Sequence, residues 1–101
     1  MPSELKPTTP SPVVDNPGEN RFETSTSAGL AVLEYSRSGN LLALQHTEVP
    51  KSARERGTGG RLVEAAFRQA REQGLKVVPY CPFVRAYVER HPELSELVEE
   101  P

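Results

Sequence analysis

Two arginines and three glycines fall within the seven residues Arg54-Glu55-Arg56-Gly57-Thr58-Gly59-Gly60, directly before an amphipathic run. Glycine admits positive φ and lets the backbone come close to a ligand. The N-terminus of a helix offers unpaired N–H groups and a partial positive charge. Together they make an anion site, for which pyrophosphate is the usual occupant, and Arg54 and Arg56 add positive charge. The pair after the last glycine is Arg61-Leu62, so the Lys-Ser/Thr of an NTP-binding P-loop is missing. Leu62 also stands where a dinucleotide fingerprint needs its third glycine.

Three other side chains have types suited to group transfer. Cys81 precedes Pro82, a favoured first helical residue, and a helix N-terminus stabilises a thiolate. Its thiol is therefore a candidate nucleophile, or an acid for a leaving group; the alternative is a small apolar core residue. His46 lies at the end of an apolar run and is a candidate general base. Glu48, two residues further along a strand, shares its face and could orient His46 or an amine.

The elements that must position these residues follow from periodicity. Short strands are predicted from Phe22, over residues 30–35 and over residues 41–48, with Ser38-Gly39-Asn40 as a turn. Pro50 closes the strand region, and a loop over residues 51–60 leads into a helix. On that helix Leu62, Val63, Ala66, Phe67 and Ala70 share one face, and Gly74 stands at the C-terminal cap. Residues 75–78 form a strand stopped by Pro79. Strand, loop and helix, strand is a βαβ unit, which requires parallel strands. A further helix runs from Pro82 to the His91-Pro92 stop, with Phe83, Ala86, Tyr87 and Arg90 on one face. Leu94, Leu97 and Val98 suggest a last turn.

Five of the ten prolines lie before residue 18, among Ser, Thr, Asn and Asp. Residues 1–20 are therefore expected to be a disordered, dispensable tail, and residues 21–101 one domain. The remaining stretch of about 80 residues is near the lower limit for unassisted folding. The single cysteine excludes an internal disulfide and an all-cysteine metal site. No apolar run approaches the ~18 residues of a membrane span. No export signal is evident, so the cytoplasm is the expected compartment. Residues 51–76 carry seven basic side chains against three glutamates, whereas residues 89–101 carry five glutamates against Arg90. The acidic end and the absence of Trp argue against a nucleic-acid surface built on the arginines.

Arg54-x-x-Gly57-x-Gly59 resembles the R/Q-x-x-G-x-G/A motif of the GNAT superfamily of N-acetyltransferases, which bind acetyl-CoA. His46-Thr47-Glu48-Val49-Pro50, Leu62-Val63-Glu64-Ala65-Ala66 and Val77-Val78-Pro79-Tyr80-Cys81-Pro82-Phe83-Val84, with Tyr87 and His91-Pro92, extend the likeness to the small single-domain GNAT-like subfamily. It covers roughly residues 30–92. One departure is Glu55, where many relatives have Gly.

The resemblance implies a minimal mixed α/β fold, without the C-terminal strands of full-length members. Its sheet would have about four mostly antiparallel strands, with a βαβ CoA-binding unit and two to three helices. It implies pyrophosphate on the loop amides, with Val49, Arg54, Arg56, Gly57, Thr58, Gly59 and Gly60 about the cofactor and the pantetheine arm between strands 41–48 and 75–79. The implied acceptor is an amine, either a small amine or a protein lysine or N-terminus, and the implied state is a monomer without a metal. Two readings stand beside this one: a CoA or acyl-CoA binder without turnover, and an interaction or nucleic-acid domain using the basic face.

Overall fold

A computed structural model describes residues 11–54 and 56–101. The element order is β1 (Val14–Asn16), β2 (Arg21–Thr26), β3 (Gly29–Ser38), β4 (Leu41–Glu48), α1 (Lys51–Arg54), α2 (Thr58–Gln73), β5 (Lys76–Pro79) and α3 (Pro82–Arg90), followed by a 3-10 helix, Pro92–Leu97. The strands form one sheet in chain order, antiparallel from β1 to β4 and parallel between β4 and β5. The mixed fold and the βαβ unit agree with the sequence reading, with one more strand than it gives.

Alternation builds the inner face of the sheet. Phe22 and Thr24 of β2, Ala31, Leu33 and Tyr35 of β3, and Leu42 and Leu44 of β4 are all buried on the helix side. The predicted apolar face of α2 closes over them: Leu62, Val63, Ala66 and Ala70 are fully buried and Phe67 almost so. Gly74 ends the helix in the left-handed region at φ 71°, its N–H bonded to the Ala70 carbonyl. Leu44 lies at the centre of this core, fully inaccessible. Leu44→Ala should therefore lower unfolding free energy by about 2–5 kcal/mol, measurable by urea titration.

The extra strand corrects the expectation of an unstructured tail. Residues 1–10 lie outside the described residues, but β1 pairs with β2 in register Val14↔Glu23, Asp15↔Phe22, Asn16↔Arg21. Asp15 ties this edge to the core: its carboxylate accepts the Tyr35 hydroxyl at 2.6 Å and the Gln69 amide at 3.1 Å. Burial, reinforced by this carboxylate, raises the Tyr35 phenol above its ordinary range. Ser11 adds a carbonyl that accepts from Thr24 and Arg61. Composition hides such a strand because its anchors are polar.

At the other sheet edge, Val98 bridges Val77 in parallel and the Glu99 N–H reaches the Val77 carbonyl at 2.8 Å. The Arg71–Glu96 pair, exposed on both sides at 3.7 Å, adds little to stability.

Candidate active site

The site is built around a break in the sheet. Tyr35 pairs with Leu44 and Glu34 with His46, so Gln45 is an extra residue in β4, a β-bulge. Pairing between β4 and β5 ends at Leu44↔Pro79. The Leu44 carbonyl accepts both the Tyr80 and the Cys81 N–H, at 3.1 and 3.0 Å. Beyond it the two strands separate, and the β5-facing backbone groups of residues 45–48 have no strand partner among the described residues.

The bulge also reverses which side chains face the helices. Before it, Leu42 and Leu44 point inward; after it, Thr47 and Val49 do, while His46 and Glu48 are exposed. The sequence reading placed His46 and Glu48 on the ligand side, because simple alternation gives no sign of a bulge. Neither lines the cleft that opens at the break.

That cleft has a volume of about 510 Å³, within the usual range for a ligand site. Thr47, Val49 and Arg54 form one wall. Gly57, Gly59 and Gly60 form its floor, and Phe83, Tyr87 and Arg90 of α3 the other wall. Of the residues named for the cofactor, Val49, Arg54, Gly57, Gly59 and Gly60 come together here; Arg56 and Thr58 do not line the cleft. Arg56 is exposed, whereas Thr58 is 3% exposed and packed inward.

Residues 51–60, read from the sequence as a loop, are mostly helical. α1 is a single turn, and Arg54 Nε donates to the Val49 carbonyl at 3.0 Å, pinning the entry to the cleft. Gly57 then reverses the chain at φ 77°, and α2 starts at Thr58 with no side-chain cap. The first N–H groups of a helix have no intrahelical acceptor, and of the first-turn residues of α2 it is Gly59 and Gly60 that line the cleft floor. Glu55 lies outside the described residues.

The last two glycines have a reason that the sequence reading did not find. A Cβ on Gly59 would stand 2.7 Å from Phe83 Cζ, and one on Gly60 would stand 2.9 Å from Tyr87 Cε2. Both distances are shorter than a real contact allows, so these glycines let α3 lie directly on the first turn of α2. Tyr87 is fixed there from two sides. Its hydroxyl donates to Glu64 Oε2 at 2.6 Å, and its ring stacks on His91 at 4.0 Å. Burial, together with the Glu64 carboxylate, pushes its phenol up to about 12. Tyr87 therefore stays protonated at neutral pH, with its proton directed to Glu64.

Cys81 stands at the N-cap position of α3 with Pro82 first in the helix, as the sequence predicts. The thiol is 4% exposed, belongs to the core and does not line the cleft. Its Sγ lies 3.3 Å from Thr47 Oγ1, so it sits behind a residue that does. The expectation of an accessible, reactive thiol is not met by this placement. Alkylation by iodoacetamide should be at least about 100-fold slower in the native protein than in urea, because labelling then requires opening of the core. Among the described residues no group of His, Cys, Asp and Glu could hold a metal, and no helix is long and apolar enough to cross a membrane.

A second cavity, of about 500 Å³, opens on the opposite face of the sheet. Ser36, Ala43, Gln45, Val78 and Tyr80 are among its lining. Gln45 and Tyr80 place it at the point where β4 and β5 part.

A parallel strand pair that splays beside an uncapped helix N-terminus brings backbone groups of both elements to one cleft. Comparison with known proteins gives the family. The model of the GCN5-related N-acetyltransferases matches residues 21–97, and the chain belongs to that family, in agreement with the resemblance read from its motifs. Protein NATD1 of Gallus gallus and of Homo sapiens are each 40% identical to it over 63 residues, 61% of this chain. The match spans 57% and 56% of those two proteins. In fold, the chain is similar to a GCN5-like protein from Staphylococcus aureus solved by NMR, with a TM-score of 0.72, 23% identity and 93% of both chains covered.

Proposed function

We propose that this chain is an acetyl-CoA-dependent N-acetyltransferase acting on an amine. The observation that carries the proposal is the cleft at the β4–β5 break with the uncapped N-terminus of α2 on its floor, in a chain of this family. The residues present suit CoA. The first-turn amides of α2 at Gly59 and Gly60 and the start of the α2 dipole would hold the pyrophosphate. Thr47, Val49 and Phe83 give the pantetheine arm a partly apolar channel toward the break. When bound, acetyl-CoA supplies an acetyl group activated as a thioester.

The protein contributes position and polarity. The unpartnered β4 amides beyond Leu44 can donate to a carbonyl oxygen that gains charge. The second cavity offers an amine a route to the same point from the other face of the sheet. Tyr87 is a neutral phenol held by Glu64, so it cannot accept the proton of the attacking amine. An amine that arrives unprotonated, or loses its proton to water, fits this cleft.

The test is release of free thiol from acetyl-CoA in the presence of pooled small amines, polyamines and lysine peptides. Turnover with one of these pools supports the reading, and binding of CoA without turnover with any of them contradicts it. That second outcome is the reading of a CoA-binding module. It is favoured by one observation: His46, the base candidate, and Glu48, read as orienting it or an amine, face away from the cleft. For an acceptor that turns over, Tyr80→Ala should raise its KM about tenfold while CoA affinity is unchanged, since Tyr80 is 53% exposed and lines only the second cavity.

A further inference from the structure

Phe83, Tyr87 and Arg90 stand at i, i+4 and i+7 on α3, and all three line the cleft. The order along the helix gives the cleft a direction. The first turn of α3 follows Cys81, which touches Thr47 beside the strand break. Phe83 lies over Gly59, Tyr87 over Gly60, and Arg90 one turn further on. With a rise of about 1.5 Å per residue, Arg90 is roughly 4.5 Å beyond Tyr87 along the axis. Arg90 is exposed, so its guanidinium is open to a ligand in the cleft it lines. The cleft thus carries a cation, Arg90, on the last turn of α3, beyond the two side chains that cover Gly59 and Gly60.

We propose that Arg90 binds the 3′-phosphate of CoA and so makes the site selective for 3′-phosphorylated over 3′-dephosphorylated cofactor. The proposal rests on the CoA reading above. If the thioester end lies at the strand break and the pyrophosphate on the α2 amides, the ribose and its phosphate must continue toward the last turn of α3. Guanidinium and phosphate are matched in charge and in planar, two-pronged hydrogen bonding. The rest of the wall favours such an arrangement. The Tyr87 ring, held by Glu64 and His91, is a fixed surface beside which a ribose can lie. Phe83, 39% exposed, is an open aromatic face nearer the break.

The test is calorimetric binding of CoA and of 3′-dephospho-CoA, which differ only in that phosphate, to the wild-type chain, Arg90→Gln and Arg90→Lys. Wild type should bind CoA about tenfold more tightly than dephospho-CoA, equivalent to about 1.4 kcal/mol. Arg90→Gln should bring CoA down to the dephospho-CoA value and leave the latter unchanged. Arg90→Lys should keep at least half of the logarithmic difference. Equal wild-type binding of the two ligands overturns the proposal while leaving the CoA site intact. So does equal weakening of both ligands by Arg90→Gln. Failure of wild type to bind either ligand overturns the CoA reading and this inference with it. Arg90 is exposed at the end of its helix, so both variants should fold, and unchanged circular dichroism verifies it.

Discussion

Gly57→Asp is expected to weaken CoA binding by about 100-fold, equivalent to about 2.7 kcal/mol. Gly57 lines the cleft and stands immediately before the first turn of α2, which has no side-chain cap among the described residues. A carboxylate there places negative charge where pyrophosphate must sit. At 4 Å and an effective dielectric of about 20, two unit charges repel by about 4 kcal/mol, ample for the loss even after screening. The backbone consequence is smaller. The φ of 77° disfavours a side chain, but aspartate is among the residues that visit this region most readily. Nothing lies within 4 Å of a Cβ at this position. Gly57→Asn carries the same backbone strain without the charge and should retain most of the binding. Calorimetry on the two variants separates electrostatics from conformation. Equal losses in both would assign the effect to the loop's shape.

The second large effect concerns stability. A chain starting at Arg21 should melt more than about 10 °C below the full chain, corresponding to roughly 2–3 kcal/mol for a domain of this size. Truncation removes β1 and exposes the β2 edge. It leaves the Tyr35 hydroxyl, on a residue only 7% exposed, without its acceptor Asp15. A buried donor without a partner costs about 1–3 kcal/mol. Asp15→Ala should reproduce a large part of the loss, and adding Tyr35→Phe should recover some of it, because the stranded hydroxyl is then gone. Melting curves that coincide for the full and truncated chains would show that β1 contributes nothing to the fold.

This contrast shows what the residue pattern reveals and what it conceals. The βαβ unit was legible because its signals are local. Leu62 to Ala70 repeat at helical spacing, Gly74 marks a cap, and Pro82 opens α3. The glycine turn that opens α2 was legible because arginines and glycines concentrate at one helix start. β1 was not, because it is held by Asp15 reaching Tyr35 and Gln69 across 20 and 54 residues. Such a partnership leaves no trace in hydropathy.

The side chains about the cleft were the least legible, and one residue accounts for much of the difference. The bulge at Gln45 moves every later side chain of β4 to the other face. Thr47 and Val49 therefore replace His46 and Glu48 at the cleft. The wall formed by α3 was partly visible, since Phe83, Tyr87 and Arg90 repeat at helical spacing. Periodicity alone assigns such a stripe to the core. Only the folded structure shows that it bounds a cleft as well.

The central claim is that the cleft between β4, the start of α2 and α3 holds CoA. The most direct test is a titration of the isotope-labelled chain with CoA, followed by backbone amide resonances. CoA bound in this cleft should give saturable shifts concentrated at Thr58, Gly59 and Gly60, accompanied by Thr47, Val49 and the face of α3 from Phe83 to Arg90, with β1 and β2 unmoved. Amides of Thr58, Gly59 and Gly60 that stay in place at saturating CoA, or shifts centred on β1 and β2, would contradict it.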